Sequence, residues 1–486
     1  MGFTKIGCAI VGGEVIYKGA DLRSMPEEQR RKIRGAEIAY VAQSAAASFN
    51  PVRRIVDQSV EVLVEHNGVE RGKAEATIVD LLKQLQLPNP PEIARRFPDQ
   101  VSGGQLQRAM AAMAMAPRPN IIVFDEPTTA LDVTTQVEVL AAIKQAVRDF
   151  GIAALYISHD LAVVAQMADR IVVLRNGTVV EEGSTRDILS QPKMDYTRSL
   201  VAHRSVDAQE RAMPGAPLLR ATDIDLDFGE VRALSKVSIV IRQATTVAVV
   251  GESGSGKTTL ARVIAGLSPR ASGSLEWKGK PLAFDFLARS REDLRRIQLV
   301  YQMPDTALNP KATVEDIVAR PFRFYFKLKG SKLRERVRAL LNMVELDPDV
   351  FMSRKTTQLS GGQKQRLCIA RALAAEPDLI ICDEVTSALD PLIAQGVLKL
   401  LMRLQRELSV AYLFITHDMS TVTGLADEVV VMSKGRIVES GSREDVLTRP
   451  QNPYTRMLLD STPQLDTQWL NRLLDARKQS RVAGGT

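Results

Sequence analysis

A glycine-rich segment in the second half of the chain has the residues and spacing of a phosphate-binding loop. It consists of Gly251, Glu252, Ser253, Gly254, Ser255, Gly256, Lys257, Thr258 and Thr259. It follows a short apolar, β-branched run and precedes an apolar helical pattern, which is the strand–loop–helix context that this motif requires. Glycines let backbone N–H groups approach phosphate oxygens, and a helix N-terminus adds partial positive charge. Lys257 is predicted to contact the β- and γ-phosphates of ATP, and Thr258 to ligate Mg²⁺.

Two adjacent carboxylates follow another apolar run. Residues 379–382 (LIIC) predict a buried strand, and Asp383 and Glu384 come directly after it. In proteins with a phosphate loop of this kind, an acid at such a strand end holds the Mg²⁺ shell. Asp383 is therefore the predicted metal ligand, and Glu384 could polarise an attacking water.

Several motif segments occur twice, most of them 258 residues apart, with an offset of 259 for Gln43 and Gln302. Residues 101–108 (VSGGQLQR) resemble residues 359–366 (LSGGQKQR). The same 258 residues separate Ser102 from Ser360, Asp125 from Asp383 and His159 from His417. One distance held over several blocks indicates a tandem duplication of a large α/β module. On this register the first copy is predicted to lack its N-terminal strands and its phosphate loop, which would leave a central strand with an unpaired edge.

Length and composition set the remaining bounds. The chain has 486 residues, of which 45% are hydrophobic and 25% charged, so a disordered or collagen-like protein is excluded. No apolar run approaches 18 residues, so we expect no membrane span. The three cysteines are widely spaced, which argues against a disulfide framework or a zinc site. The net charge of +7 is compatible with a basic soluble protein or with anionic ligands.

The domain organisation follows from the repeat. We expect a first module over residues 1–200, a linker over 201–217, a second module over 218–460 and a C-terminal tail over 461–486. The linker prediction depends on the turn-rich segment 212–217, and the last few residues of the tail are predicted to be disordered.

These motifs resemble those of the ATP-binding subunits of ABC transporters, of the fused double-cassette type. Residues 359–363 (LSGGQ) match the family signature, and residues 387–390 match its D-loop. Gln302 resembles the Q-loop glutamine and His417 the switch histidine. Asn309-Pro310 and the repeated Tyr-Thr-Arg near each module's end are similar to dipeptide, oligopeptide and nickel importer ATPases. The resemblance implies two tandem P-loop cassettes, each with a RecA-like core and a helical subdomain.

In this family two cassettes pair head to tail, which implies one complete composite ATP site here. Glu384 would be the general base, His417 would contact the γ-phosphate, and Gln302 would join Thr258 and Asp383 in the metal shell. Ser102, Gly103, Gly104 and Gln105 of the first cassette would face the phosphate loop of the second. Phe228 would stack on adenine, although an aromatic residue packed at a strand edge is the alternative.

The second composite site that head-to-tail pairing implies is predicted to lack its phosphate-binding loop. It would combine the first-cassette residues Gln43, Asp125, Glu126 and His159 with the signature Ser360, Gly361, Gly362 and Gln363. Two explanations stay open. Either the start is misassigned, or the gene is truncated or frameshifted, and the ancestral protein had two complete sites; or the protein is an ATPase with one competent site.

The resemblance implies an ATP-hydrolysing motor of a membrane importer, with peptide as the expected cargo. Its partners would be two permease subunits and a periplasmic or extracellular binding protein, without nucleic acid. The chain would lie peripherally at the cytoplasmic face of the inner membrane. Residues 49–63 and 308–322 would form the groove for a permease helix, or else belong to the helical-subdomain core. The alternative functions are an inactive remnant and a soluble tandem ATPase that acts on ribosomes or DNA.

Overall fold

The computed structural model describes residues 8–128, 131–202, 215–387 and 389–483. The chain divides into two compact units. The first unit comprises Met1–Met194 together with Pro463–Thr486, and the second comprises Asp195–Thr462. The chain therefore leaves the first unit once, builds the whole second unit, and returns to the first at its C-terminal end.

The first unit alternates strands and helices along residues 8–194. Its strands are β1 (Ile16–Tyr17), β2 (Ala20–Asp21), β3 (Ile38–Val41), β4 (Ile121–Asp125), β5 (Ala153–Ile157), β6 (Arg170–Arg175) and β7 (Thr178–Ser184). Its helices are α1 (Glu27–Ile33), α2 (Ala45–Ser48), α3 (Ile55–Ser59), α4 (Glu61–Asn67), α5 (Arg71–Gln84), α6 (Pro90–Arg95), α7 (Gly103–Met115), α8 (Val133–Phe150), α9 (Leu161–Met167) and α10 (Thr185–Ser190).

Strands of the first unit form separate small sheets. β3, β4 and β5 pair in parallel in that order, while β6 and β7 form an antiparallel pair. The parallel strands are short apolar runs, and the helices α3 to α8 pack their apolar faces into one core with them.

The second unit repeats this order with additional strands. Its strands are β8 (Pro217–Phe228), β9 (Val231–Arg242), β10 (Thr246–Val250), β11 (Ser272–Trp277), β12 (Lys280–Pro281), β13 (Ile297–Val300), β14 (Leu379–Asp383), β15 (Ala411–Ile415), β16 (Glu428–Ser433) and β17 (Arg436–Ser442). Its helices are α11 (Asp195–Ala202), α12 (Lys257–Ile264), α13 (Arg291–Arg296), α14 (Pro304–Ala307), α15 (Val314–Phe326), α16 (Gly330–Met343), α17 (Pro348–Phe351), α18 (Gly361–Leu373), α19 (Pro391–Leu408), α20 (Met419–Leu425), α21 (Arg443–Thr448) and α22 (Pro453–Asp460).

A six-stranded sheet forms the centre of the second unit in the order β13-β14-β15-β10-β16-β17. β10 lies between β15 and β16 and pairs with both in parallel. All five residues of β10 are buried, as expected of a strand covered on both faces. A second, antiparallel sheet, β12-β11-β8-β9, packs its apolar side chains into the same core.

The two units differ at the position that β10 occupies. β5 and β6, which correspond to β15 and β16 at the 258-residue distance, lie in different sheets of the described first unit. Leu155 on β5 is 56% exposed, whereas its counterpart Leu413 on β15 is 0% exposed. The described part of the first unit thus presents apolar strand edges that β10 covers in the second.

The segments after the two glutamines contribute to the cores of the helical regions. Phe49, Ile55 and Val60 are buried in the first unit, and Val314 and Val318 are buried in the second. These apolar side chains therefore pack inside their own helical regions.

The C-terminal segment contains a further helix, α23 (Trp469–Ala483), and this helix packs in the first unit. The sequence alone indicated only a polar, basic tail here. Residues 484–486, predicted to be disordered, and most of the predicted linker, residues 203–214, lie outside the described residues. Across the part of the chain that the structure describes, no helix is both long enough and apolar enough to cross a membrane.

Candidate functional site

The glycine-rich loop connects the buried strand β10 to the N-terminus of α12. Gly251 and Gly256 have φ values of 150° and 102°, in the region that L-residues with side chains rarely adopt. A Cβ atom on Gly256 would lie 2.8 Å from the carbonyl oxygen of Ala233, and one on Gly251 would lie 2.1 Å from that of Met432. Only glycine lets the loop pass this close to the neighbouring backbone.

Lys257 points into the loop. Its side chain is buried, and Nζ donates to the carbonyl oxygens of Gly251 (2.8 Å) and Glu252 (2.7 Å). A buried ammonium inside a ring of backbone groups at a helix N-terminus is suited to phosphate. The loop therefore has the charge and the shape to hold the phosphates of a nucleotide.

Thr258 and Asp383 meet beside the loop. The Thr258 hydroxyl donates to Asp383 Oδ1 at 3.1 Å. Burial is the main factor that raises the pKa of Asp383, and the neighbouring Glu384 charge adds to it, while the hydrogen bond from Thr258 opposes both. Within the described ranges, no three His, Cys, Asp or Glu side chains form a metal cluster. A hydroxyl and one carboxylate fit Mg²⁺, which commonly takes one or two carboxylates together with substrate phosphates and water.

Gln302, Glu384 and His417 form a second polar group at the strand ends. Gln302 Nε2 donates to Glu384 Oε2 at 2.7 Å, and His417 Nδ1 lies 3.5 Å from Glu384 Oε1. Glu384 has a φ of 47°, and its backbone N–H donates to the carbonyl of Ile415. This left-handed conformation is uncommon for a residue other than glycine, and such conformations cluster at functional sites.

The first unit has a matching polar group around Glu126. Gln43 Nε2 donates to Glu126 Oε2 at 2.8 Å, and His159 Nδ1 lies 2.8 Å from Glu126 Oε1. Glu126 shares the positive φ of 47°. The adjacent Asp125 is bound differently from its counterpart, because the hydroxyl of Tyr40 donates to Asp125 Oδ2 at 2.6 Å.

The two signature segments have the same local geometry. Ser102 caps α7: its Oγ accepts from the Gln105 N–H, and the Gln105 side chain accepts from the Ser102 N–H. Ser360 and Gln363 form the same reciprocal pair at the start of α18.

The structure pairs Thr258 with Asp383 and places Gln302 and His417 beside Glu384. Phe228 lies at the end of β8, beside the β8–β9 turn, and is 60% exposed. Ala233 on the same hairpin faces Gly256, so the hairpin runs past the phosphate loop. Ser102, Gly103, Gly104 and Gln105 belong to the first unit and the phosphate loop to the second.

Comparison with known proteins places these motifs in a family. The family model described as "ABC transporter" matches residues 8–129 and again residues 234–387. The model described as "Oligopeptide/dipeptide transporter, C-terminal region" matches residues 438–483. The chain belongs to the ABC transporter ATPase family.

Individual members of this ABC family are similar over most of the chain. The glutathione import ATP-binding protein GsiA of Escherichia coli O6:H1 is 37% identical over 91% of this chain and 77% of its own length. The protein of the same name from Salmonella paratyphi A is 36% identical over 92% of this chain and 78% of its length. A solved nucleotide-free cassette of an ABC transporter is 25% identical over 50% of this chain and 98% of its own, with a TM-score of 0.44.

Two tyrosines contact the sites of this ABC ATPase without having been predicted there. Tyr454 at the start of α22 accepts a hydrogen bond at Oη from the Glu252 N–H, at 3.1 Å, and so supports the phosphate loop. Tyr40 holds Asp125. The repeated Tyr-Thr-Arg motif, which resembles a mark of the importer subfamily, is the sequence signal for Tyr454. Tyr40 corresponds to Leu299 in the second repeat, at the 259-residue distance that also relates Gln43 to Gln302, and it lies in no motif.

Proposed function

We propose that this chain is the ATP-hydrolysing motor subunit of a membrane importer for glutathione or similar small peptides. The single observation that carries the catalytic part is the arrangement in the second unit, where Lys257, the Thr258–Asp383 pair and the Gln302–Glu384–His417 group accompany one phosphate loop. The cargo is inferred from relatives whose names specify glutathione import.

The reaction is phosphoryl transfer from ATP to water. It is accelerated mainly by positioning of the reacting groups and by electrostatic stabilisation of the charge that develops. Lys257 and the loop N–H groups bind the phosphates, and Thr258, Asp383 and Gln302 would hold Mg²⁺. When bound, Mg²⁺ neutralises charge that develops on the phosphate oxygens. Glu384 accepts a proton from the attacking water, and Gln302 and His417 hold its carboxylate in place.

We propose further that the chain contains two tandem cassettes, over residues 1–200 and 218–460, with one competent composite site. Ser102, Gly103, Gly104 and Gln105 complete that site from the first cassette. The α7 N-terminus supports this role, since it offers backbone N–H groups and partial positive charge. In the first cassette, Asp125 accepts a hydrogen bond from Tyr40, whereas its counterpart Asp383 accepts one from Thr258 of the loop. This difference supports a first-cassette site that does not hydrolyse ATP.

The importer assignment implies partners of defined kinds. Two permease subunits would couple the conformational changes of this chain to transport across the membrane, and a periplasmic or extracellular binding protein would deliver the peptide. The chain would then lie peripherally at the cytoplasmic face of the inner membrane. Phe228 stays a predicted adenine contact, and its exposure leaves its ring available to a ligand.

The decisive experiment is an ATPase assay of the assembled transporter with matched variants. Glu384→Gln is expected to reduce turnover at least about a hundredfold, which corresponds to roughly 2.7 kcal/mol of transition-state stabilisation. Glu126→Gln is the internal control at the equivalent position and should leave turnover within about twofold. Equal losses from both changes would refute the one-site assignment, and no turnover in the wild-type assembly would favour the inactive remnant.

A further inference from the structure

The C-terminal segment is bound by a buried glutamine of the first unit. Gln166 on α9 is 2% exposed. Its Nε2 donates to the carbonyl oxygens of Gln464 and Asp466, both at 2.9 Å, and its Oε1 accepts from the Leu470 N–H at 3.1 Å. One side-chain amide thus satisfies three backbone groups of the segment, which fixes the path by which the chain enters α23.

An apolar contact accompanies these hydrogen bonds. Trp469 and Leu470, at the start of α23, are buried with Val137 and Leu140 of α8 and Val163 of α9. Leu470 is 0% exposed. Burying a tryptophan and a leucine around a satisfied glutamine forms a small, specific docking site.

The second unit does not carry this site. At the 258-residue distance, Val137 corresponds to Gln395, Val163 to Thr421 and Gln166 to Gly424. A glycine cannot supply the amide that binds the three backbone groups, and glutamine and threonine replace two of the apolar contacts. The two repeats therefore differ at three of the positions that bind the C-terminal segment in the first unit.

We propose that residues 463–483 form a clasp: the chain that leaves the second unit is captured by a site that only the first unit of the pair provides. The clasp adds a second connection between the units, beyond the point at which the chain passes from Met194 to Asp195. A second connection limits the separation that a single tether would allow and so raises the effective concentration of each unit near the other. This function does not depend on which unit hydrolyses ATP.

The test cuts the covalent connection in the folded full chain. A site-specific protease sequence is inserted between Met194 and Asp195, two exposed residues at the boundary of the units. The purified protein is nicked in EDTA without nucleotide, and the fragments are analysed by size exclusion. The wild-type fragments are expected to co-elute. The fragments of Leu470→Asp and Gln166→Leu are expected to associate at least about tenfold more weakly.

Asp475→Ala, at an exposed position of the same helix, is the matched control and should behave as wild type. An excess of a synthetic peptide of residues 463–483 should release the wild-type fragments. In a Trp277→Phe background, Trp469 fluorescence reports docking before cleavage and should shift to the red in Gln166→Leu. The proposal is overturned if wild-type fragments separate freely, or if Leu470→Asp and Gln166→Leu fragments remain together as tightly as the control.

Discussion

At the residue scale, Glu384 and His417 shift each other's ionisation in opposite directions. The hydrogen bond and charge of Glu384 raise the pKa of His417 above its ordinary 6.5, against the effect of burial. Burial acts to raise the pKa of Glu384, but the His417 hydrogen bond and charge, together with the Lys257 charge and the Gln302 hydrogen bond, lower it below 4.5. The protonated histidine stabilises the fold fully below pH 6.5, and this contribution is lost as pH rises through the raised pKa. The glutamate contribution is present above pH 4.5 and is lost as pH falls through the lowered pKa.

The Glu384–His417 pair predicts that the pKa of His417 depends on the charge of Glu384. In NMR of the histidine ring protons, His417 should titrate above 6.5 in the wild-type chain, with the resonance assigned from a His417→Gln variant. Glu384→Gln should lower that pKa, since the replacement removes the charge and keeps the shape. Glu126→Gln should leave it unchanged, because its hydrogen-bonding partners lie in the first unit. An unaltered His417 titration in Glu384→Gln would contradict the pairing.

At the element scale, the contact between α7 and α8 depends on a glycine. A Cβ on Gly104 would lie 2.1 Å from Thr135 Cγ2, whereas one on Gly103 would lie 3.7 Å from the nearest atom of Leu131. Thr135 cannot easily rotate away, since its hydroxyl donates to Asp132 at 3.0 Å. The close approach of the signature helix to α8 therefore requires glycine at position 104, for packing as well as for any contact with a phosphate.

Gly104→Ala is accordingly expected to lower the free energy of unfolding of the first unit by about 1–3 kcal/mol, as overpacking does. Gly103→Ala should be neutral or slightly stabilising, because alanine favours the helix. Thr135→Ser removes Cγ2 and keeps the hydroxyl, so Gly104→Ala/Thr135→Ser should recover most of the loss. Thermal unfolding of the four proteins tests this packing, and a double variant no more stable than Gly104→Ala would argue against it.

At the scale of the whole molecule, the two units hold equivalent strands in different surroundings. β15 is paired on both sides, whereas β5 pairs only with β4 in the described residues. Unpaired apolar edges are templates for association with other chains. The exposed side chains of β5 and β6, including Leu155, Ile157, Val172 and Leu174, make this part of the first unit the expected site of self-association.

Lysine substitutions at the equivalent positions 155 and 413 test whether β5 and β15 lie in different environments. Leu155→Lys should change the free energy of unfolding by no more than about 0.5 kcal/mol and should raise solubility. Leu413→Lys places a charge in the core and should destabilise the second unit by more than about 4 kcal/mol. Chemical denaturation and light scattering on both variants test this contrast. Similar destabilisation by both changes would mean that β5 is covered in solution.

Motifs of short range could be predicted from the sequence because local spacing determines local conformation. The buried strand, the glycine-rich loop and the helix that follows lie in about 20 consecutive residues. The repeat, at a distance of 258 residues for Glu126 and His159 and 259 for Gln43, then predicted a second set of equivalent residues. The structure gives Gln43, Glu126 and His159 the same mutual contacts as their counterparts. Membership of the ABC ATPase family, predicted from these motifs, is confirmed by the family model.

The sequence by itself therefore determined the family, and it predicted a glycine-rich phosphate loop and a duplication, because these are read from residue types at fixed local intervals. Only the tertiary structure decided that Tyr40 holds Asp125, that Tyr454 supports the loop and that Gln166 binds the C-terminal segment. These contacts join residues 85, 202 and about 300 positions apart. No periodicity encodes such pairs, because they form only when packing of the intervening elements brings the distant side chains within hydrogen-bonding distance.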